Sequence, residues 1–167
     1  MTSEATSRHE GRSAARLGAL QALYQLEITG NTPEDVIKEF IDHRFGRDIG
    51  ETGGALEQDQ EFFADIVHGV LKHQTEIDRS IARALATGWT LARIDSILRA
   101  LMRAATYELV ARKDVPAKVV LDEYVELSRD FFDGEEPSFV NAVLDRMARE
   151  KRAAEFGLPA PSGTLEF

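Results

Sequence analysis

The chain contains no cysteine, which excludes disulfides, thiolate metal sites and thiol nucleophiles and fits a reducing compartment. No apolar run reaches the roughly 18 residues that a membrane-spanning helix needs. The opening residues, MTSEATSRHEGR, lack the apolar core of a secretory leader, so a soluble, cytoplasmic protein is expected. Positive charge is scarce as well: 20 Lys and Arg stand against 29 Asp and Glu, a net charge of −9. Such a balance argues against general nucleic-acid binding and requires any phosphate contact to be local. Residues 1–20 supply such a place, with Arg8, Arg12 and Arg16 against Glu4 and Glu10, so that this end is +1 and the remainder −10.

Catalytic signatures are missing too. There is no G-x-S-x-G elbow, no glycine loop cradling a phosphate at the start of a helix, and no paired Glu-x-x-His. His68 and His73 are five residues apart, which places them about 140° apart on a helix and unable to share a metal. Carboxylates such as Asp65, Asp95, Asp122 and Glu126 are what the helix surfaces of an acidic protein carry. No catalytic residue, metal or cofactor is expected, and no stretch shows the alternation of a strand.

What the chain does have is helical periodicity. Residues 8–27, RHEGRSAARLGALQALYQLE, put Arg8, Arg12 and Arg16 on one stripe beside Leu17, Leu20 and Tyr24. A core helix with solvated arginines and a helix offering arginines to a phosphate chain share this pattern. Gly30-Asn31 stops it. Thr32-Pro33-Glu34-Asp35 restarts it with an N-cap, a proline in the first turn and a capping-box-like pair, and a second helix over Val36, Ile37, Phe40 and Ile41 reaches about Phe45. Glycines 46, 50, 53 and 54 mark a loop. From about Gln58 the pairs Phe62/Phe63, Ile66/Val67 and Val70/Leu71 recur every four residues, a wide core face. A fourth helix over residues 76–85 turns Ile77, Ile81 and Leu85 inward and ends at Thr87-Gly88.

Trp89 comes next, at the corner, where the expected role is to fill the join between two packed subdomains. The fifth helix, residues 91–112, carries Ile94, Ile97, Leu98, Leu101, Ala105 and Leu109. A sixth starts at Pro116 with Val120, Tyr124, Leu127 and Phe131, and a seventh begins after Pro137 with Val140, Val143, Leu144 and Met147. Phe131 and Phe139 flank the intervening loop, where a ring can stack on an unpaired base; periodicity equally allows both in the core. Beyond about Ala154 the breaker-rich GLPAPSGTLEF is expected to fray.

Four stretches carry a resemblance: ALQALYQLE at 19–27, RALMRAATYEL at 99–109, DVPAKVVLDEYVELSRDF at 114–131 and SFVNAVLD at 138–145. In order and in combination they resemble the NusB family of transcription antitermination factors, from about Arg12 to Met147. The resemblance implies an all-α fold of about seven helices in two perpendicular three-helix bundles, one near residues 8–87 and one near 89–154, with 155–167 a flexible tail. It further implies no enzymatic activity, binding to single-stranded boxA-type RNA of ribosomal RNA leaders together with the NusE ribosomal protein, and assembly on RNA polymerase with NusA and NusG, with a homodimer as a further possible state. The family's RNA-binding positions fall on Arg12, Arg16, Tyr24, Phe131, Glu135 and Phe139. The family's arginine motif is often denser where this chain has Ser13 and Ala14, and the usual glycine after FVN is Ala142. Two other readings stand beside this one: a protein-interaction bundle with weakened RNA binding, and a module related to the front part of RNA methyltransferases, for whose methyl-donor domain and catalytic cysteine the sequence is expected to be too short.

Overall fold

A computed structural model describes the backbone of residues 3–45 and 53–160 and the side chains of residues 9–43 and 57–160. The described residues form seven α-helices and no strand: α1 (Ser3–Thr29), α2 (Pro33–Phe40), α3 (Gly53–Lys72), α4 (Gln74–Ala84), α5 (Ser96–Ala111), α6 (Ala117–Phe131) and α7 (Glu136–Lys151). The all-helical expectation holds. Short turns supplement them: a π-helical turn, Ile41–Phe45, extends α2, and 3-10 turns cover Leu91–Arg93 and Ala153–Phe156. The chain divides into two compact units, Met1–Gly69 and Val70–Phe167.

The local signals explain most boundaries. The Thr32 hydroxyl accepts from the Asp35 amide at 3.3 Å, so the cap read from the sequence forms and satisfies one of the orphan donors of α2. Asp95, one of the scattered carboxylates, caps α5 by accepting from the Ile97 amide at 2.8 Å. The third helix begins at Gly53, ahead of the expected Gln58. Glycine weakens a helix interior more than an end, so Gly53-Gly54 reads as a loop from sequence and yet opens a helix.

In the first unit the buried side chains of α1 are Ala15, Arg16, Ala19, Leu20, Ala22 and Leu23, while Leu17 and Tyr24 are half-buried. Val36, Ile37 and Phe40 close α2 against this set, and Phe40 stacks on Phe63 of α3 with centroids 5.6 Å apart. Phe62, Phe63, Ile66 and Val67 are all within 3% of full burial. Each such side chain contributes about 1.5–3 kcal/mol relative to exposure.

In the second unit α5 is the central column, packed by α4, α6 and α7. The apolar stripe read from sequence covers one side of it, whereas in the structure Ala100, Met102, Ala104, Thr106, Tyr107, Glu108 and Val110 are buried as well. Its alanines, too small to signal a core in a periodicity argument, let three neighbours approach. α4 contacts α5 and α7. Arg103 forks onto Asp78 at 2.8 and 3.0 Å, and Arg146 donates to the Ala84 carbonyl at the end of α4 at 2.7 Å. These contacts place α4 in the second unit, while the sequence placed it in the first bundle.

Candidate nucleic-acid interface

The sequence-derived site residues fall into two sets, one in each unit. In the first unit, Arg12 and Arg16 lie one helical turn apart on α1, and both guanidinium groups face the same ring: Arg12 lies 4.8 Å and Arg16 5.2 Å from the Phe62 centroid. A planar cation over an aromatic face is held by the ring quadrupole. The two arginines are not equivalent. Arg16 is only 2% exposed and part of the core, so the expected solvated stripe is interrupted there; Arg12 is half-buried. The side chain of Arg8 lies outside the described residues. Asp59, one turn before Phe62 on α3, completes the cluster. Burial pushes its carboxyl above the ordinary range and the charge of Arg12 draws it partly back. A Cβ on Gly11 would run into this carboxylate, so glycine at that position lets α1 lie close to Asp59. Tyr24, two turns beyond Arg16, is half-buried.

In the second unit the turn after α4 sets the geometry. Gly88 takes φ +92°, a region that favours glycine, and the Trp89 amide donates to the Ala86 carbonyl at 3.1 Å. Arg99 stiffens the 3-10 turn beyond it by donating to the carbonyls of Leu91 at 3.2 Å and Ile94 at 3.0 Å. Trp89 is thereby held on the surface, 52% exposed, which corrects the expectation of a buried filler between subdomains. Its ring meets Phe139, in the first turn of α7, with centroids 5.7 Å apart and planes tilted by 47°, a favourable aromatic arrangement. Together with Phe132, Arg93, Glu135 and Glu136 they line a shallow cleft of about 390 Å³.

Glu135 and Phe139 are therefore brought together. Phe131, the last residue of α6, is 36% exposed, at the surface and not in the core; it is absent from the lining of this cleft, where Phe132 stands. Sequence reasoning missed Trp89, Phe132 and Asp59 as members of these clusters. The one available signal was Gly88 before the chain's single tryptophan, which marks a turn, and turns run over the surface.

The fold and its two ring-centred clusters define an all-helical binding module. Residues 13–149 match the NusB family, and the chain belongs to that family, whose named relatives are transcription antitermination proteins and not enzymes. The transcription antitermination protein NusB of Caulobacter vibrioides is 48% identical over 147 residues, spanning 87% of this chain and 97% of that protein. Among solved structures, T. maritima NusB superposes with a TM-score of 0.71 at 30% identity, covering 88% of this chain and 97% of that one. The crystal structure of antitermination factors NusB and NusE in complex with dsRNA shares the fold with a TM-score of 0.70 at 24% identity, over 84% of this chain and 97% of that one. Among the described residues no helix is long and apolar enough to cross a membrane.

Proposed function

We propose that this protein binds boxA-type RNA in ribosomal RNA leader transcripts together with a NusE ribosomal-protein partner, and that it serves processive transcription with RNA polymerase, NusA and NusG. The observation that carries the RNA reading is the ring pair formed by exposed Trp89 and half-buried Phe139. The other large apolar residues of α7, Val140, Val143, Leu144 and Met147, are at most 1% exposed, so half-buried Phe139 departs from the core rule where a base could stack. Arg12, Arg16, Tyr24, Phe131 and Glu135 are proposed to serve with it, Arg12 as the phosphate contact of the first unit. Family membership and the antitermination relatives support the same reading.

The burial of Arg16 favours a second reading, a helical module whose main ligand is protein and whose RNA affinity is weak alone. One titration separates the two. Affinity for a single-stranded boxA-like RNA and for a duplex of the same sequence is measured with and without the purified ribosomal protein. Single-stranded binding that tightens about tenfold or more with the partner, a coupling of about 1.4 kcal/mol, is expected. No RNA binding in either state eliminates the RNA reading and leaves the protein-interaction one.

A further inference from the structure

The carboxylate of Asp59 has no place in the RNA-binding reading, yet it lies against Gly11, next in sequence to Arg12. Asp59 and Phe62 are three residues apart on α3 and therefore share a face, and that face carries both guanidinium groups of α1, Arg12 at 4.8 Å and Arg16 at 5.2 Å from the ring centroid. The position of the carboxylate is fixed from the α1 side as well, because it lies where a Cβ on Gly11, the residue before Arg12, would stand. A half-buried acid near a half-buried arginine presents to that arginine the kind of group a backbone phosphate would present, an anionic oxygen pair.

We propose that Asp59 is a positioning residue that attenuates RNA binding: it holds the Arg12 guanidinium over the Phe62 ring, so that an RNA phosphate must compete with an acid of the protein itself. The inference rests on the RNA reading of Arg12. A chain with few basic residues near its N-terminus thereby keeps Arg12 ordered and weakly available, and strong binding requires the partner or a second contact. The charge of Arg12 acting on Asp59 is the electrostatic side of the same pairing.

Removing the competing charge while keeping the shape tests it. Asp59→Asn is expected to tighten binding of a single-stranded RNA oligonucleotide by about three- to tenfold at low salt, the size of one close charge–charge repulsion at moderate effective dielectric. Its salt dependence should steepen, because the Arg12 charge then goes wholly to phosphate. Glu61→Gln, an equal change of charge at an exposed position two residues further along α3, should alter affinity less than twofold. In an Arg12→Ala background the gain from Asp59→Asn should vanish. Independently of RNA, a carbon-detected titration of the Asp59 carboxyl should show its pKa rising when Arg12 is replaced by alanine. Binding by the wild type with no gain in Asp59→Asn, or a gain that Glu61→Gln reproduces or that survives Arg12→Ala, overturns the attenuation alone. A carboxyl unmoved by Arg12→Ala overturns the pairing beneath it. Absence of RNA binding in every variant overturns the RNA reading, and the attenuation with it.

Discussion

At the scale of single residues, Phe139 and Trp89 concentrate the question of what the surface is for. A phenylalanine at helical register with Val140 and Val143 is expected to pack inward, and the only tryptophan in the chain to supply buried area. Both expectations count area and neither sees direction: the turn at Gly88 carries Trp89 to the outside, and Phe139 in the first turn of α7 meets that exposed ring. If the pair takes a base, Phe139→Ala should weaken RNA binding by more than about 1 kcal/mol. Its stability, read from melting, should fall by far less than the about 3–5 kcal/mol that loss of a buried ring costs. Trp89→Ala should weaken RNA binding in the same direction and cost little stability, since half of the ring is already in water. Parallel melting and binding curves decide it: full core destabilisation in Phe139→Ala with unchanged affinity of the folded fraction would make the ring structural. Arg16 teaches the converse lesson, for a four-residue charge stripe looks solvated whichever way one of its members turns, and only the Phe62 ring shows that this one is inside.

Among the elements, starts and stops were legible where a local rule governs them. Thr32 caps α2, and Pro137 stands in the first turn of α7 because its missing amide is an orphan donor there anyway, whereas α4 stops at Ala84 with Leu85 extended, ahead of the expected Thr87-Gly88. The end of α5 was not legible, because its partners come from far along the chain. The carbonyls of Leu109, Arg112, Val115 and Glu108 accept from Arg152 at 2.6, 2.8, 3.1 and 3.3 Å. Glu155 then accepts from Arg152 at 2.7 Å and from the Ala117 amide, an orphan donor at the start of α6, at 2.9 Å. One pair of side chains thus closes the tail of one helix and the head of the next, just before the breaker-rich GLPAPSGTLEF; residues 161–167 lie outside the described residues. Arg152→Ala should cost about 2–4 kcal/mol by stranding these buried carbonyls. Arg152→Lys should recover little of it, since an ammonium cannot span the fork. Burial pushes the Glu155 carboxyl upward, but the Ala117 amide and Arg152 prevail and hold it below its ordinary range. A folded-state value below the unfolded one stabilises the protein above about pH 4.3. That stability disappears as pH falls through the lower folded value. Glu155→Gln should therefore be less stable than the wild type at neutral pH, with the difference shrinking as pH falls below the ordinary carboxylate range in urea titrations; a constant gap at all pH values would remove Glu155 from this role.

For the molecule as a whole, charge sets a bound that no single contact can exceed. A net −9 chain repels RNA at long range, so attraction must come from a few cations near the phosphates and from ring stacking, which salt hardly touches. Three arginines on one stripe would suggest about three phosphate contacts, but Arg16 is 2% exposed and spends its charge on the Phe62 ring. Arg12 shares that ring and the field of Asp59. Arg12 is then the half-buried described cation of α1 that a strand could meet, and Arg8, whose side chain lies outside the described residues, would be a second, giving one to two contacts. At about 0.7 per phosphate on a single strand, the log-log dependence of affinity on salt should have a slope between about −0.7 and −1.4 for the protein alone. Basic charge brought by a partner should steepen it, and the partner's contribution is the difference between the two slopes. Fluorescence anisotropy across a salt series, with and without the ribosomal protein, reads both. A slope of about −4 or steeper for the protein alone would require at least five neutralised phosphates, more cations than α1 supplies, and would move the phosphate path away from Arg12.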